Sequence, residues 1–287
     1  MSILDSAKVL TSVQNPIVKQ VSKWRDRRDR DLAQKVLIEG YRALVRAMSG
    51  DYPVEELYVC PEWFQGENEE ALISSLCARG ARLYRVSKEA FVKMAYRDRP
   101  EGLLGVGPQR HRGLDELPVY DRPMFYLVAE QIEKPGNLGA MLRSADAAGV
   151  DALILCDPKT DLYNPNVVRA STGTLFTLPV VETNSADALA WLKKHGVAIL
   201  SATPHTDKLF TDVDMTCSTA IVVGAEQYGL SDLWLSGCDV QVRLPMMGAA
   251  DSLNVATATT ILLYEVLRQR LVSGLVSDTG IVADPSH

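Results

Sequence analysis

The sequence predicts an α/β protein in two parts: a parallel sheet with helices on both faces in the C-terminal half, preceded by a smaller mixed α/β domain. Three observations predict it. From residue 124 onward, apolar runs of strand length alternate with helical stretches, the pattern of successive βαβ units. Residues 107–122 (GPQRHRGLDELPVYDR) combine Gly, Pro and charge without periodicity and read as a linker. The charge is also unevenly divided: of the net −6, residues 1–112 carry +4 and the remainder −10. Such asymmetry marks a basic binding portion beside a differently charged one.

The elements follow in order. Residues 15–28 and 32–48 read as helices, with VLIEGYRALVRAM placing apolar residues at helical spacing. Residues 55–60 and 82–86 read as short strands, 69–78 and 88–95 as helices, and 103–107 as a last strand. In the second half, MFYLVAE (124–130) and DALILC (151–156) are apolar enough to be buried strands. Further strands are expected at 197–202, 220–224 and 240–244, and helices at 187–195 and 253–270. The expected domains are 1–106, the linker 107–122, 123–272, and a disordered tail, 273–287.

Composition excludes several classes. The chain is 47% hydrophobic and 23% charged, ordinary for a soluble globular protein. No apolar run approaches the ~20 residues of a membrane span, and MSILDSAKVLTS lacks the core of a secretory signal. The five cysteines are scattered and form no CxxC pair, so neither a zinc site nor a disulfide framework is expected. Cys156, in an apolar strand, reads as core. A reducing, cytoplasmic setting follows. His111, His195 and His205 are far apart, and no metal is expected.

The strand at 124–130 leads into PGNLGAMLRSADAAG (135–149). The glycine fingerprint of a dinucleotide fold is absent here, as is a GxxxxGK[ST] phosphate loop, which disfavours NAD and ATP enzymes. Arg143 stands out. In the first turns of a helix opening at Asn137 it would oppose the helix dipole, so an acidic partner or an anionic ligand should hold it. The simplest partner is Asp146, at i+3. Two later segments also stand out. IVVGAEQYGLSD (221–232) runs from a strand through Gly224 into Glu226. LPMMGAADSLNVATATTILLYEVLRQR (244–270) ends a strand at Pro245, and Asp251-Ser252 is a candidate cap for the helix that follows, with Asn254 in its first turn.

These three segments, in this order and spacing, resemble the three motifs of the SpoU (TrmH-like) family of RNA ribose 2′-O-methyltransferases, knotted enzymes that use S-adenosylmethionine (SAM). YNPNVVRASTGTLF (163–176) resembles the family's intervening segment. SVQNPIVKQ (12–20) and LIEGYR (37–42) resemble its appended RNA-binding domain, akin to certain ribosomal RNA-binding proteins. The resemblance implies a trefoil-knotted parallel sheet, a topology that periodicity could not suggest, and a homodimer. It implies SAM contacts at Thr203, Gly224, Leu244, Met246, Ser252 and Leu253, largely through backbone groups. Asn137, Arg143, Glu226, Ser252 and Asn254 match positions tied to catalysis. Lys134 stands where the family often has Asp or Asn; a change in RNA contact is the expected consequence.

Plainer readings stand beside these. Asn137 and Ser252 are also candidate helix caps, and Gly224 and Gly229 are candidate turn glycines. Arg143 suits a phosphate anchor better than a base, because a guanidinium titrates above ~12. Glu226 either pairs with an arginine or orients Asn254 or Arg143. The basic stretch 19–35, interleaved with Asp26, Asp29 and Asp31, is either a solvated face or a phosphate-binding helix. With the resemblance, Lys19, Arg25, Arg28 and Arg42 are assigned to phosphate contacts, which position RNA without reading its sequence. The resulting expectation is methyl transfer from SAM to a ribose 2′-hydroxyl of structured RNA, 23S ribosomal RNA being favoured. The alternatives are a tRNA enzyme of the same family and a non-catalytic RNA-binding protein.

Overall fold

Two strands stand side by side at the centre of the C-terminal sheet, Phe125–Glu130 and Thr219–Val223, paired in parallel from Phe125 opposite Thr219 to Ala129 opposite Val223. Every residue of both is buried, as expected for a parallel sheet covered on two faces. The structure, a computed structural model, describes residues 3–277. Contacts divide it into one unit of residues 3–110 and 161–177 and a second of residues 111–160 and 178–277. The tail expected to be disordered lies outside the described residues from 278 onward.

The first unit contains β1 (Lys8–Leu10), α1 (Pro16–Lys23), α2 (Arg27–Ala33), β2 (Lys35–Glu39), α3 (Tyr41–Ser49), β3 (Glu56–Val59), α4 (Glu69–Ala78), β4 (Arg82–Val86), α5 (Lys88–Met94) and β5 (Leu103–Pro108). Its mixed sheet runs β1-β4-β3-β5-β2. Two expectations are corrected. Residues 35–39 are not helical: KVLIE pairs antiparallel with β5, and a helix begins only after Gly40, at a φ of 99° that favours glycine. Val36 and Ile38 face one way and Leu37 the other, all buried, so a fully covered strand mimicked helical periodicity. The helix over 15–28 is also broken. Asn15 caps α1 through Ile17 N, and Asp26 caps a separate α2 through Arg28 N. Arg30, 1% exposed, closes the joint by donating to Trp24 O (2.8 Å) and Arg25 O (3.1 Å) while pairing with Asp161.

The second unit comprises β6 (Phe125–Glu130), α6 (Pro135–Ala147), β7 (Ala152–Cys156), then β8 (Val180–Thr183), α8 (Ser185–Lys194), β9 (Ala198–Ala202), β10 (Thr219–Val223), α9 (Asp232–Gly237), β11 (Val240–Val242) and α10 (Val255–Val272). The intervening α7 (Pro165–Ala170) packs with β2 in the first unit. β8, a short strand after Pro179, was not foreseen. All six strands are parallel, in the order β11-β9-β10-β6-β7-β8. Alternation along β6 sorts the layers. Tyr126 and Val128 join Ala188 and Leu192 of α8 and Trp234 of α9 in one core. Phe125 turns to the other face, under the Arg270 guanidinium of α10, which packs against α6. Cys156 is fully buried and its thiol is pushed up by burial, consistent with a core residue. No described helix is long and apolar enough to cross a membrane.

The chain leaves β6 toward β7 and leaves β10 toward β11, in opposite directions along the sheet. The carboxyl ends of β6 and β10 therefore flank a topological switch point, where open α/β sheets place their ligands.

Candidate active site

Three loops meet at that switch point. The first follows β6 and enters α6 at Pro135, whose fixed φ suits the first helical position. Asn137 is thus inside the first turn, not its cap, and its side chain is free to point elsewhere. The second loop follows β10. Gly224 has to be glycine: a Cβ there would lie 2.1 Å from Gly229 O. Gly229, at φ 68°, closes the turn with its N–H 2.9 Å from Ala225 O, which puts Glu226 at the turn's start. The third loop follows β11 and enters α10. Its cap is Asn254, whose Oδ1 accepts from Ala256 N at 3.1 Å, so the expected cap at Asp251-Ser252 is displaced by two residues.

The three loops converge on one carboxylate. Glu226 Oε1 accepts from Asn254 Nδ2 at 2.8 Å and from Asn137 Nδ2. Asn254 Nδ2 also lies 3.2 Å from Asn137 Oδ1. The other oxygen, Oε2, pairs with Lys134 Nζ. Lys134, by donating to the carboxylate, holds Glu226 below the ordinary carboxylate range; Asn137 acts in the same direction, against a burial effect. Lys134 is therefore more than a surface cation available to RNA: it is part of this cluster.

Arg143 is elsewhere. It lies in the third turn of α6, past the middle of a helix that begins at Pro135, so the dipole argument does not apply to it. At ~100° per residue it projects about 120° away from Asn137. Its side chain is exposed and, among the described residues, forms no ion pair; the bridge to Asp146 is not made.

Of the candidate cofactor contacts, Thr203, Gly224 and Leu244 follow β9, β10 and β11, three neighbouring strands, at one edge of the sheet. Thr203 is buried, with its N–H bonded to Val242 O at 2.9 Å. Met246 is half-buried; Ser252 and Leu253 are exposed on the loop before α10. In the first unit, Lys19, Arg25, Arg28 and Arg42 are all exposed, and none forms an ion pair among the described residues. Arg25 lies 5.8 Å over the Tyr96 ring. Two of the interleaved acids are engaged locally, Asp26 as the α2 cap and Asp31 with Arg27 at 3.4 Å. Among the described residues no group of three or more His, Cys, Asp or Glu gathers as a metal site.

Sequence reasoning passed over two groups. Glu130 ended a predicted strand and drew no attention, yet it is 2% exposed at the switch point. Arg270, 4% exposed, anchors the far end of α10 by donating to Cys217 O (2.7 Å) and Met124 O (2.9 Å). A charged residue among apolar neighbours at strand or helix ends was the available signal for both.

The chain is similar to known proteins along most of its length. Residues 124–264 match the SpoU rRNA Methylase family, and residues 15–105 match an MRM3-like substrate binding domain. A 23S rRNA (uridine(2479)-2′-O)-methyltransferase of Streptomyces viridochromogenes is 32% identical over 263 residues, covering 88% of this chain and 89% of that one. The 23S rRNA (guanosine(2553)-2′-O)-methyltransferase RlmP of Bacillus subtilis is 30% identical over 259 residues, covering 90% and 99%. The crystal structure of an AdoMet-bound rRNA methyltransferase from Sinorhizobium meliloti superposes with a TM-score of 0.83 at 29% identity, over 94% of this chain and 99% of that one. With three motif segments brought to one switch point and similarity along most of its length, this chain belongs to the SpoU rRNA methylase family.

Proposed function

We propose that this protein methylates a ribose 2′-hydroxyl of ribosomal RNA, most specifically of 23S rRNA, with SAM as methyl donor. The observation that carries this reading is the convergence of Asn137, Glu226 and Asn254, one from each motif segment, at the carboxyl edge of the parallel sheet. Relatives of nearly the full length act, by name, on 23S rRNA.

The site suits SAM. The edge formed after β9, β10 and β11 offers backbone groups, and Gly224 keeps it open to close approach because no side chain intervenes. Bound SAM supplies an activated methyl group on a sulfonium. Thr203, Gly224, Leu244, Met246, Ser252 and Leu253 are the residues that would hold it, within the knotted arrangement the family implies. Asn137 and Asn254, fixed by Glu226, orient the reacting ribose; positioning of this kind contributes ~7–11 kcal/mol to such reactions. Arg143, pointing away from this cluster, anchors a phosphate from the partner protomer's side. The second copy docks on α10, where exposed Ile261, Tyr264, Leu271 and Val272 share one face with Arg268 among them. Lys19, Arg25, Arg28 and Arg42 hold the RNA backbone. The setting is cytoplasmic.

The test is transfer of labelled methyl from SAM to unmodified rRNA and, separately, to unmodified tRNA, with mapping of the 2′-O-methyl position. Label at one rRNA ribose is expected. Label in tRNA alone would overturn the substrate, and SAM binding without transfer to either RNA would overturn the activity.

A further inference from the structure

Glu130 is the last residue of β6 and is buried, 2% exposed, with no cation paired to it among the described residues. A buried carboxylate is costly unless its oxygens are hydrogen-bonded. Oε1 accepts from Ser231 Oγ at 2.6 Å and Oε2 from the Ser231 backbone N–H at 2.8 Å. Ser185 Oγ, at the start of α8, lies 3.0 Å from Oε1 and 2.6 Å from Asp157 Oδ2. One hydroxyl proton serves two carboxylates there, so the Ser231 bonds are the firm ones.

Ser231 occupies the cap position of α9, where a serine usually bonds the helix's own N–H groups. It does not do so; its hydroxyl turns to Glu130 instead. The consequence is structural. The segment 224–231 is fixed at its start by β10 and at its end by Glu130, and between them it presents Glu226 to Asn137 and Asn254. Glu130 also begins the short connection to Lys134 and Asn137. One carboxylate thus ties together the two backbone segments whose side chains meet at Glu226.

We infer that Glu130 is a positioning residue for methyl transfer, acting through the 224–231 segment on Glu226. This rests on the reading of Glu226 given above. The test compares Glu130→Ala, Glu130→Gln, Glu226→Ala and the Glu130→Ala/Glu226→Ala double variant, measuring kcat, KM for SAM and for rRNA, and thermal unfolding. Leaving the Ser231 donors unpaired in a buried site predicts a fall in kcat of about tenfold for Glu130→Ala. KM for rRNA is expected to stay unchanged. A glutamine can accept the Ser231 N–H and donate to the serine hydroxyls, which rotate to accept, so Glu130→Gln recovers most of the loss. In the Glu226→Ala background, Glu130→Ala is expected to add little, because both act on one element.

Multiplicative losses in the double variant would overturn the inference alone. A lower melting temperature with unchanged kcat in the folded fraction would do the same. Full turnover by Glu226→Ala would overturn the Glu226 reading, and this inference with it. Should Glu130→Ala not fold, Ser231→Ala removes one donor only; it is expected to lower kcat a few-fold, again without adding to Glu226→Ala, and a multiplicative loss would again overturn the inference.

Discussion

The Asn254 side-chain amide bonds in two directions: its oxygen caps α10 at Ala256 N, 3.1 Å away, and its nitrogen donates to Glu226 Oε1 at 2.8 Å. One residue therefore starts the last helix and reaches the candidate active site, so the two roles are separable by substitution. Asn254→Asp keeps an oxygen for the cap but sets a carboxylate against Glu226. Its cost in stability is expected to stay within about 1 kcal/mol, while methyl transfer falls at least about tenfold. Asn254→Ala loses both. Thermal unfolding beside single-turnover methylation separates them; equal melting losses in both variants would refute the division of labour.

Lys134 holds the Glu226 carboxyl below its ordinary range. A carboxyl lowered on folding contributes stability above its unfolded pKa and loses it as the pH falls through the folded value. Lys134→Met is expected to move the Glu226 titration up toward the ordinary value of 4.5. The stability that Glu226 contributes above its unfolded pKa is then lost, and the acid side of the stability profile is shallower than in the wild type. Glutamate carboxyl shifts followed by NMR would check it; an unmoved titration would leave Lys134 as a solvent-screened surface cation.

Arg143 is exposed and unpaired among the described residues, so its removal should not disturb the fold. Arg143→Ala is expected to retain SAM affinity and lose methyl transfer. Isothermal titration with SAM and a methylation assay measure the two separately. Normal turnover would remove Arg143 from the mechanism.

At Gly224 a methyl group would meet the Gly229 carbonyl at 2.1 Å, backbone against backbone. Gly224→Ala must displace the 224–231 segment, at a cost of about 1–3 kcal/mol by the usual price of overpacking. A raised KM for SAM should accompany the lower melting temperature. Wild-type values for both would mean the segment shifts freely.

Neutralising Arg25, Arg28 and Arg42 together is expected to weaken RNA binding and to lower the slope of log affinity against log salt by roughly 2. Filter binding across a salt series reads this directly. An unchanged slope would return α1 and α2 to the role of a solvated face.

Much was readable along the chain. The buried strands at 125–130, 152–156 and 219–223 announced themselves because a parallel sheet covered on both faces needs unbroken apolar runs. Asn137, Glu226 and Asn254 were identifiable as site residues only through the resemblance of their three segments to the family's motifs. Local signals were less decisive where two structures share them. A covered strand and a helix face both tolerate VLIE, and only pairing with β5 made residues 35–39 a strand. The cap of α10 falls not at Asp251-Ser252, where cap-forming residue types place it, but at Asn254, because the loop's path decides which residue meets the first free N–H groups.

Which charges matter was decided by tertiary structure alone. Nothing local distinguishes Arg30, buried against Asp161, from Arg28, free at the surface. Nothing local marks Lys134 as the partner of a glutamate 92 residues away, or Glu130 as the acceptor for a serine 101 residues away. Hydrophobic period and turn chemistry act over a few residues, so the sequence by itself determined the α/β class and the buried central strands, but not β1, β2 or β8. Hydrogen bonds and ion pairs depend on which chain ends meet, and that is set only when the sheet order brings β6 beside β10.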